Sequence, residues 1–156
     1  MNDLPERIAV MVSKESSMYQ CSDYLSPEFQ MGQQRASLAR EPVPSSSPSS
    51  DSTSSSSSTG VINDVWREKI CEWCYQVVDH FEFNREIVSI AMSYLDRYLV
   101  TRQVTKKIFQ LAAMTCLYLA IKLYESRNLR ISSLIELSRG YFSPEHINAM
   151  EESILR

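Results

Sequence analysis

The chain has 156 residues and a formal net charge of −3, long enough for one domain with a core and without the basic excess that a nucleic-acid surface needs. Residues 1–60 hold five of the six prolines and carry four Lys/Arg against seven Asp/Glu, whereas residues 61–156 hold both tryptophans and twelve of each sign. The N-terminus has no apolar h-region, so no signal peptide is expected. The four cysteines (Cys21, Cys71, Cys74 and Cys116) form no secreted-type framework, which points to a reducing compartment, the nucleus and/or the cytoplasm. The longest uncharged stretch, Ile108 to Ile121, lies between Lys107 and Lys122. It falls short of the ~18–20 apolar residues that span a bilayer, so no membrane partner is expected.

In chain order, the first segment is a Ser/Pro-rich leader over residues 1–60. From Pro44 to Gly60 it reads PSSSPSSDSTSSSSSTG, with no large apolar side chain. Burial cannot offset the chain entropy there, so a disordered leader is expected. Ser26-Pro27 and Ser47-Pro48 have the form of phosphorylation sites, and Arg35-Ala36-Ser37-Leu38 fits an RxxL degradation pattern. Both patterns are short and also arise by chance.

From Asp64 onward the apolar period is helical. Trp66, Ile70, Trp73, Val77 and Phe81 recur at three and four and form one stripe on a first helix. Asn84 is a good N-cap for a second, which sets Ile87, Ile90, Ala91, Tyr94, Leu95 and Tyr98 on one side. Thr105 caps a third helix that runs to about Tyr124. It is apolar on nearly all faces, which predicts a central helix surrounded by others. A short fourth helix gathers Ile131, Leu134 and Ile135 and is broken by Gly140. Ser143-Pro144, an N-cap followed by proline at the first helical position, starts a fifth that carries Ile147, Met150, Ile154 and Leu155. The expected fold is all-α: a five-helix bundle over residues 61–156 around a buried third helix.

Catalytic chemistry is hard to find. Cys71-x-x-Cys74 with His80 lies inside a helix and no fourth ligand follows at a usual spacing, so buried thiols are expected and no metal. His80 reads as a helix-end residue and His146 as a surface one. There is no glycine-rich phosphate loop and no Ser/His/Asp set, so neither a cofactor nor an enzyme is expected. Three charges stand among apolar neighbours: Arg67 beside Trp66, Asp96 inside Tyr94–Tyr98, and Lys122 between Ile121 and Leu123. A charge in such surroundings needs a partner, or it costs several kcal/mol.

Trp66-Arg67-Glu68-Lys69-Ile70, Ser93-Tyr94-Leu95-Asp96-Arg97-Tyr98-Leu99, Leu117-Tyr118-Leu119-Ala120-Ile121-Lys122-Leu123-Tyr124-Glu125 and Met150-Glu151 follow one another in an order and spacing that resemble the cyclin box, the N-terminal five-helix repeat of cyclins. The resemblance covers nearly all of residues 61–156 and none of the leader. It implies that Arg67 and Asp96 pair across the first two helices in a structural role. It also implies that Lys122 and Glu151 face a cyclin-dependent protein kinase, with Leu119, Ala120, Leu123 and Leu155 as the apolar floor of that contact. Leu119, Lys122 and Leu123 share a helix face at i, i+3 and i+4. Trp66, Ile70, Trp73 and Gln110 would form a patch that docks substrates or inhibitors.

Two positions depart from the family pattern. Lys69 stands where the patch is usually apolar and would disfavour basic peptides, and Trp66 replaces a methionine. The sequence ends in the fifth helix without the usual second repeat, which leaves two readings, a one-box cyclin or a truncated product. The function implied is a non-enzymatic regulatory subunit that binds and activates a cyclin-dependent kinase in the cell cycle. The alternative is an adaptor of the same fold that activates no kinase.

Overall fold

The structure is a computed structural model that describes residues 3–18, 22–38 and 62–156. Its elements are α1 (Leu4–Ser17), α2 (Pro27–Leu38), α3 (Asp64–His80), α4 (Glu86–Thr101), α5 (Lys106–Tyr124), α6 (Ile131–Leu137) and α7 (Pro144–Leu155). The five helices expected from periodicity are α3 to α7, and α5 is the central one. Thr105 Oγ1 accepts the Ile108 N–H and starts it. Eleven of its residues are buried, and α3, α4 and α7 all pack on it. Thr115, the buried polar residue of the core among the described residues, donates to Leu111 O at 2.8 Å, which satisfies its hydroxyl within the helix.

At 19 residues α5 is longer than the uncharged stretch, and by length and composition it is apolar enough to cross a bilayer. Its sides are instead occupied by neighbouring helices. Ala112, Ala113 and Ala120 let those neighbours approach closely. On α4 the buried set is Ile87, Val88, Ala91, Met92, Leu95, Tyr98 and Leu99. Ile90 and Tyr94, expected in the stripe, are only half-buried, because α4 lies between α3 and α5 and its apolar face turns toward both. Helix α3 buries Cys74, Val77 and Val78 and leaves Trp66, Ile70 and Trp73 at the half-buried edge.

The helix ends show why the chain turns where it does. Ser143 Oγ accepts the His146 N–H while the Ser143 N–H donates to His146 Nδ1 at 3.2 Å, a capping box with histidine in the usual glutamate place. Asn84 caps one residue earlier than the assigned cap, Arg85: its Oδ1 accepts the Glu86 N–H at 3.0 Å, and Arg85 is already helical in φ and ψ. The α3–α4 turn holds Glu82 at φ 56°, a left-handed conformation that costs an L-residue about 1–2 kcal/mol. Two α5–α6 residues brace it. Arg127 Nη2 donates to Phe81 O and Glu82 O at 3.1 and 2.8 Å, and the Asn84 N–H donates to Glu125 Oε1 at 2.7 Å. Gly140 at φ 72° closes the α6–α7 turn, where a Cβ would be strained.

Within the leader, the described residues carry structure. Residues 4–17 and 27–38 are helical, and residues 22–30 are drawn into the fold. Tyr24 is 7% exposed and belongs to the core, with Leu25 and Phe29 packed against it. Gln30 Nε2 donates to Ile62 O at 2.8 Å. The reason is local composition: Tyr24, Leu25 and Phe29 supply the apolar area that the serine tract lacks. Helix α1 has no buried residue and presents Leu4, Ile8, Met11 and Val12 outward. The serine tract Pro44–Gly60, Ser47-Pro48 and Cys21 lie outside the described residues. The RxxL stretch falls at the end of α2, and its side chains also lie outside them.

Candidate partner-binding face

Lys122 is in the last turn of α5 and Glu151 in the second half of α7, two helices that pack side by side. Lys122 Nζ donates to Glu151 Oε1 at 2.7 Å. The lysine is half-exposed and the carboxylate mostly covered. The hydrogen bond to Glu151 raises the Lys122 pKa above its ordinary value against a smaller opposing effect of burial. Lys122 Nζ also lies 5.8 Å from the Tyr118 ring centre. The two charges thus complete each other in the free chain, at the surface and within reach of a visitor.

Beside the pair lies an open groove of about 800 Å³ between α4, α5 and the end of α7. Leu119, Leu123, Ile154 and Leu155 line it, with Arg97 and Arg102 on the α4 side. Leu123 and Leu155 are 58% and 66% exposed, an arrangement that invites apolar contact. Of the expected floor residues, Leu119 reaches the groove from the core and is itself buried. Ala120 is a correction: it is 0% exposed and packs inside the bundle, so its side chain offers no partner contact. It shares a helix face with Cys116 and Leu117, four and three residues earlier and both 0% exposed, which sets it on the core side of α5.

Arg67 on α3 and Asp96 on α4 form a two-pronged pair. Nε donates to Oδ1 at 3.0 Å and Nη2 to Oδ2 at 2.8 Å. Their side chains are 36% and 22% exposed, between a surface pair and a buried one. Asp96 holds the Arg67 pKa above its ordinary value, chiefly through the hydrogen bond. Periodicity alone could not show a third member. Tyr24 Oη donates to Asp96 Oδ1 at 2.7 Å. Burial first, and the Asp96 carboxylate second, push the Tyr24 pKa up. The signal that could have found it is the aromatic and apolar cluster Tyr24-Leu25 with Phe29 in an otherwise polar leader.

Ile70, Trp73 and Gln110 come together at a second cavity, of about 380 Å³, with Met114, Tyr141 and Phe142. Trp66 does not line it. Its ring packs on Phe109 at a centroid distance of 6.0 Å, below Lys106 Nζ at 5.3 Å. The expected four-residue patch is therefore split by the structure. Lys69 is exposed and outside that lining, whereas Arg139 is part of it. Cys71, Cys74 and Cys116 are free thiols, and burial pushes the Cys74 pKa up to about 12. Among the described residues no three His, Cys, Asp or Glu side chains gather in a way that could hold a metal ion. His80 closes α3 with its ring edge-on to Phe81, 4.8 Å away.

The bundle is all-α, built on the apolar α5, with a braced Arg67–Asp96 pair and a surface Lys122–Glu151 pair. Residues 35–156 match the family model for the cyclin N-terminal domain, and the chain belongs to the cyclin family. It is similar to G2/mitotic-specific cyclin-2 of Antirrhinum majus, 30% identical over 94 residues, which are 60% of this chain and 21% of that protein. It is similar also to cyclin-D3-3 of Arabidopsis thaliana, 34% identical over 93 residues, covering 57% of this chain and 26% of the relative. G1/S-specific cyclin-D1 of Xenopus laevis is 29% identical over 89 residues, covering 57% and 31%. The matched region spans less than a third of the length of each of these relatives.

Proposed function

We propose that the chain is a non-enzymatic regulatory subunit that binds a cyclin-dependent protein kinase through the α5–α7 face and activates it in cell-cycle control. The observation that carries this reading is the Lys122–Glu151 pair, with Leu123, the next residue of α5, exposed and lining an open groove. The resemblance to the cyclin box implies a kinase contact at the same two residues, which supports this reading. Exposed Leu123 and Leu155 supply the apolar contact, and the Lys–Glu pair supplies a donor and an acceptor for backbone groups of the visitor. Docked there, the mobile C-helix of a kinase is held inward. That position completes the kinase's own Lys–Glu ion pair, which phosphoryl transfer requires. Work in the nucleus and/or the cytoplasm fits this role. The cavity at Ile70, Trp73 and Gln110 serves as a secondary site for substrate or inhibitor peptides.

The test is kinase binding by Lys122→Ala and Glu151→Ala, with thermal stability measured alongside. Truncating one partner of a charged interface contact costs about 2–5 kcal/mol, at least a tenfold loss of affinity. The free chain should lose little, because half-exposed ion pairs contribute about 0.2–1 kcal/mol. If both variants bind the kinase like the parent, the adaptor reading replaces this one.

A further inference from the structure

We propose that Ser26 is a phosphorylation site for a proline-directed Ser/Thr kinase, and that a strap formed by residues 22–30 gates access to it. Ser26 is followed by Pro27, the pair such kinases read. Its hydroxyl is in use: Oγ donates to Asp23 O at 2.9 Å and accepts the Phe29 N–H at 3.3 Å. The strap is fastened at two points on either side of Ser26. Tyr24 Oη holds Asp96 at 2.7 Å, and Gln30 Nε2 holds Ile62 O at 2.8 Å.

A kinase needs the hydroxyl free and within hydrogen-bond reach of its base. The strap must therefore lift before transfer. The Ser26 oxygen then bonds to the γ-phosphorus of ATP, the bond from that phosphorus to ADP breaks, and the hydroxyl proton passes to the kinase's aspartate.

The experiment uses the full chain, a purified active proline-directed kinase and ATP, with site occupancy followed by mass spectrometry. Wild type, Tyr24→Phe and Gln30→Ala are compared, with Ser47 as the reference Ser-Pro in the same molecule. Each variant should raise the Ser26 rate, Tyr24→Phe about tenfold because it removes a hydrogen bond to a charged group. The Ser47 rate should not change. Circular dichroism checks that Tyr24→Phe folds, and Gln30→Ala keeps the test open if it does not. Ser26 left unmodified in all three proteins, or equal Ser26 rates, would overturn the proposal. The kinase is supplied in trans, so failure here leaves the α5–α7 face untouched.

Discussion

Arg67→Ala removes both guanidinium bonds to Asp96 and leaves that carboxylate, 22% exposed, with Tyr24 as its remaining side-chain donor. A fully buried pair broken on one side costs about 3–5 kcal/mol, and a surface pair about 0.2–1. The partial exposure of both groups sets this pair between those limits, at about 2 kcal/mol. Tyr24→Phe removes a hydrogen bond to a charge and should cost about 1.5 kcal/mol. Both variants act on Asp96, so their effects should not add. The coupling in a double-mutant cycle should be about 0.5 kcal/mol or more. Urea unfolding of the full chain, followed by circular dichroism at several protein concentrations, measures all four species. For a domain of this size, 2 kcal/mol corresponds to a melting shift of roughly 5–10 °C. A neutral Tyr24→Phe, or effects that add, would falsify the three-membered arrangement and return Tyr24 to a solvated leader.

Further expectations follow from the same contacts. The Tyr24 pKa is raised above its ordinary 10, so the folded state keeps the phenolic proton longer than the unfolded one. Its stabilising contribution is complete below pH 10 and declines above it by up to about 1.4 kcal/mol per pH unit. Alkaline melting curves of wild type should therefore lose more stability above pH 10 than those of Tyr24→Phe. Deleting residues 1–60, harmless on a reading of the leader as disordered, should lower the melting temperature, whereas deleting residues 1–21 should not. Ala120→Phe should overpack the core by about 1–3 kcal/mol, since Ala120 has no free space outward, and an unmoved melting temperature would refute the central placement of α5. Glu82→Gly should stabilise by about 0.5–1 kcal/mol by relieving the positive φ, and Arg127→Ala should destabilise by about 1–2 kcal/mol, both read by thermal melts.

The sequence by itself determined the elements and their order. A 3.6-residue apolar period, Thr105 and Ser143 as caps, and Gly140 as a breaker are local signals, and they set where α3 to α7 run. The all-round apolar character of α5 also determined its central place, because a helix without a polar face has nowhere else to go. The pairing of Arg67 with Asp96 and of Lys122 with Glu151 was legible only through resemblance, since each pair is separated by 29 residues and no local rule joins them.

Tertiary structure alone decided the rest, because it rests on which surfaces meet. Ala120 and Lys122 are two residues apart, yet one is sealed in the bundle and the other faces outward. Trp66 and Trp73 share a stripe by period, yet one lies under Lys106 and the other opens onto a cavity. Arg127 and Glu125 read as ordinary loop charges until the fold brings them onto the α3–α4 turn. The leader shows the same limit most plainly. Composition averaged over residues 1–60 predicts no structure, but burial is won residue by residue. Tyr24 finds Asp96 72 positions away, and a contact between such distant residues is visible only once both have been placed in space.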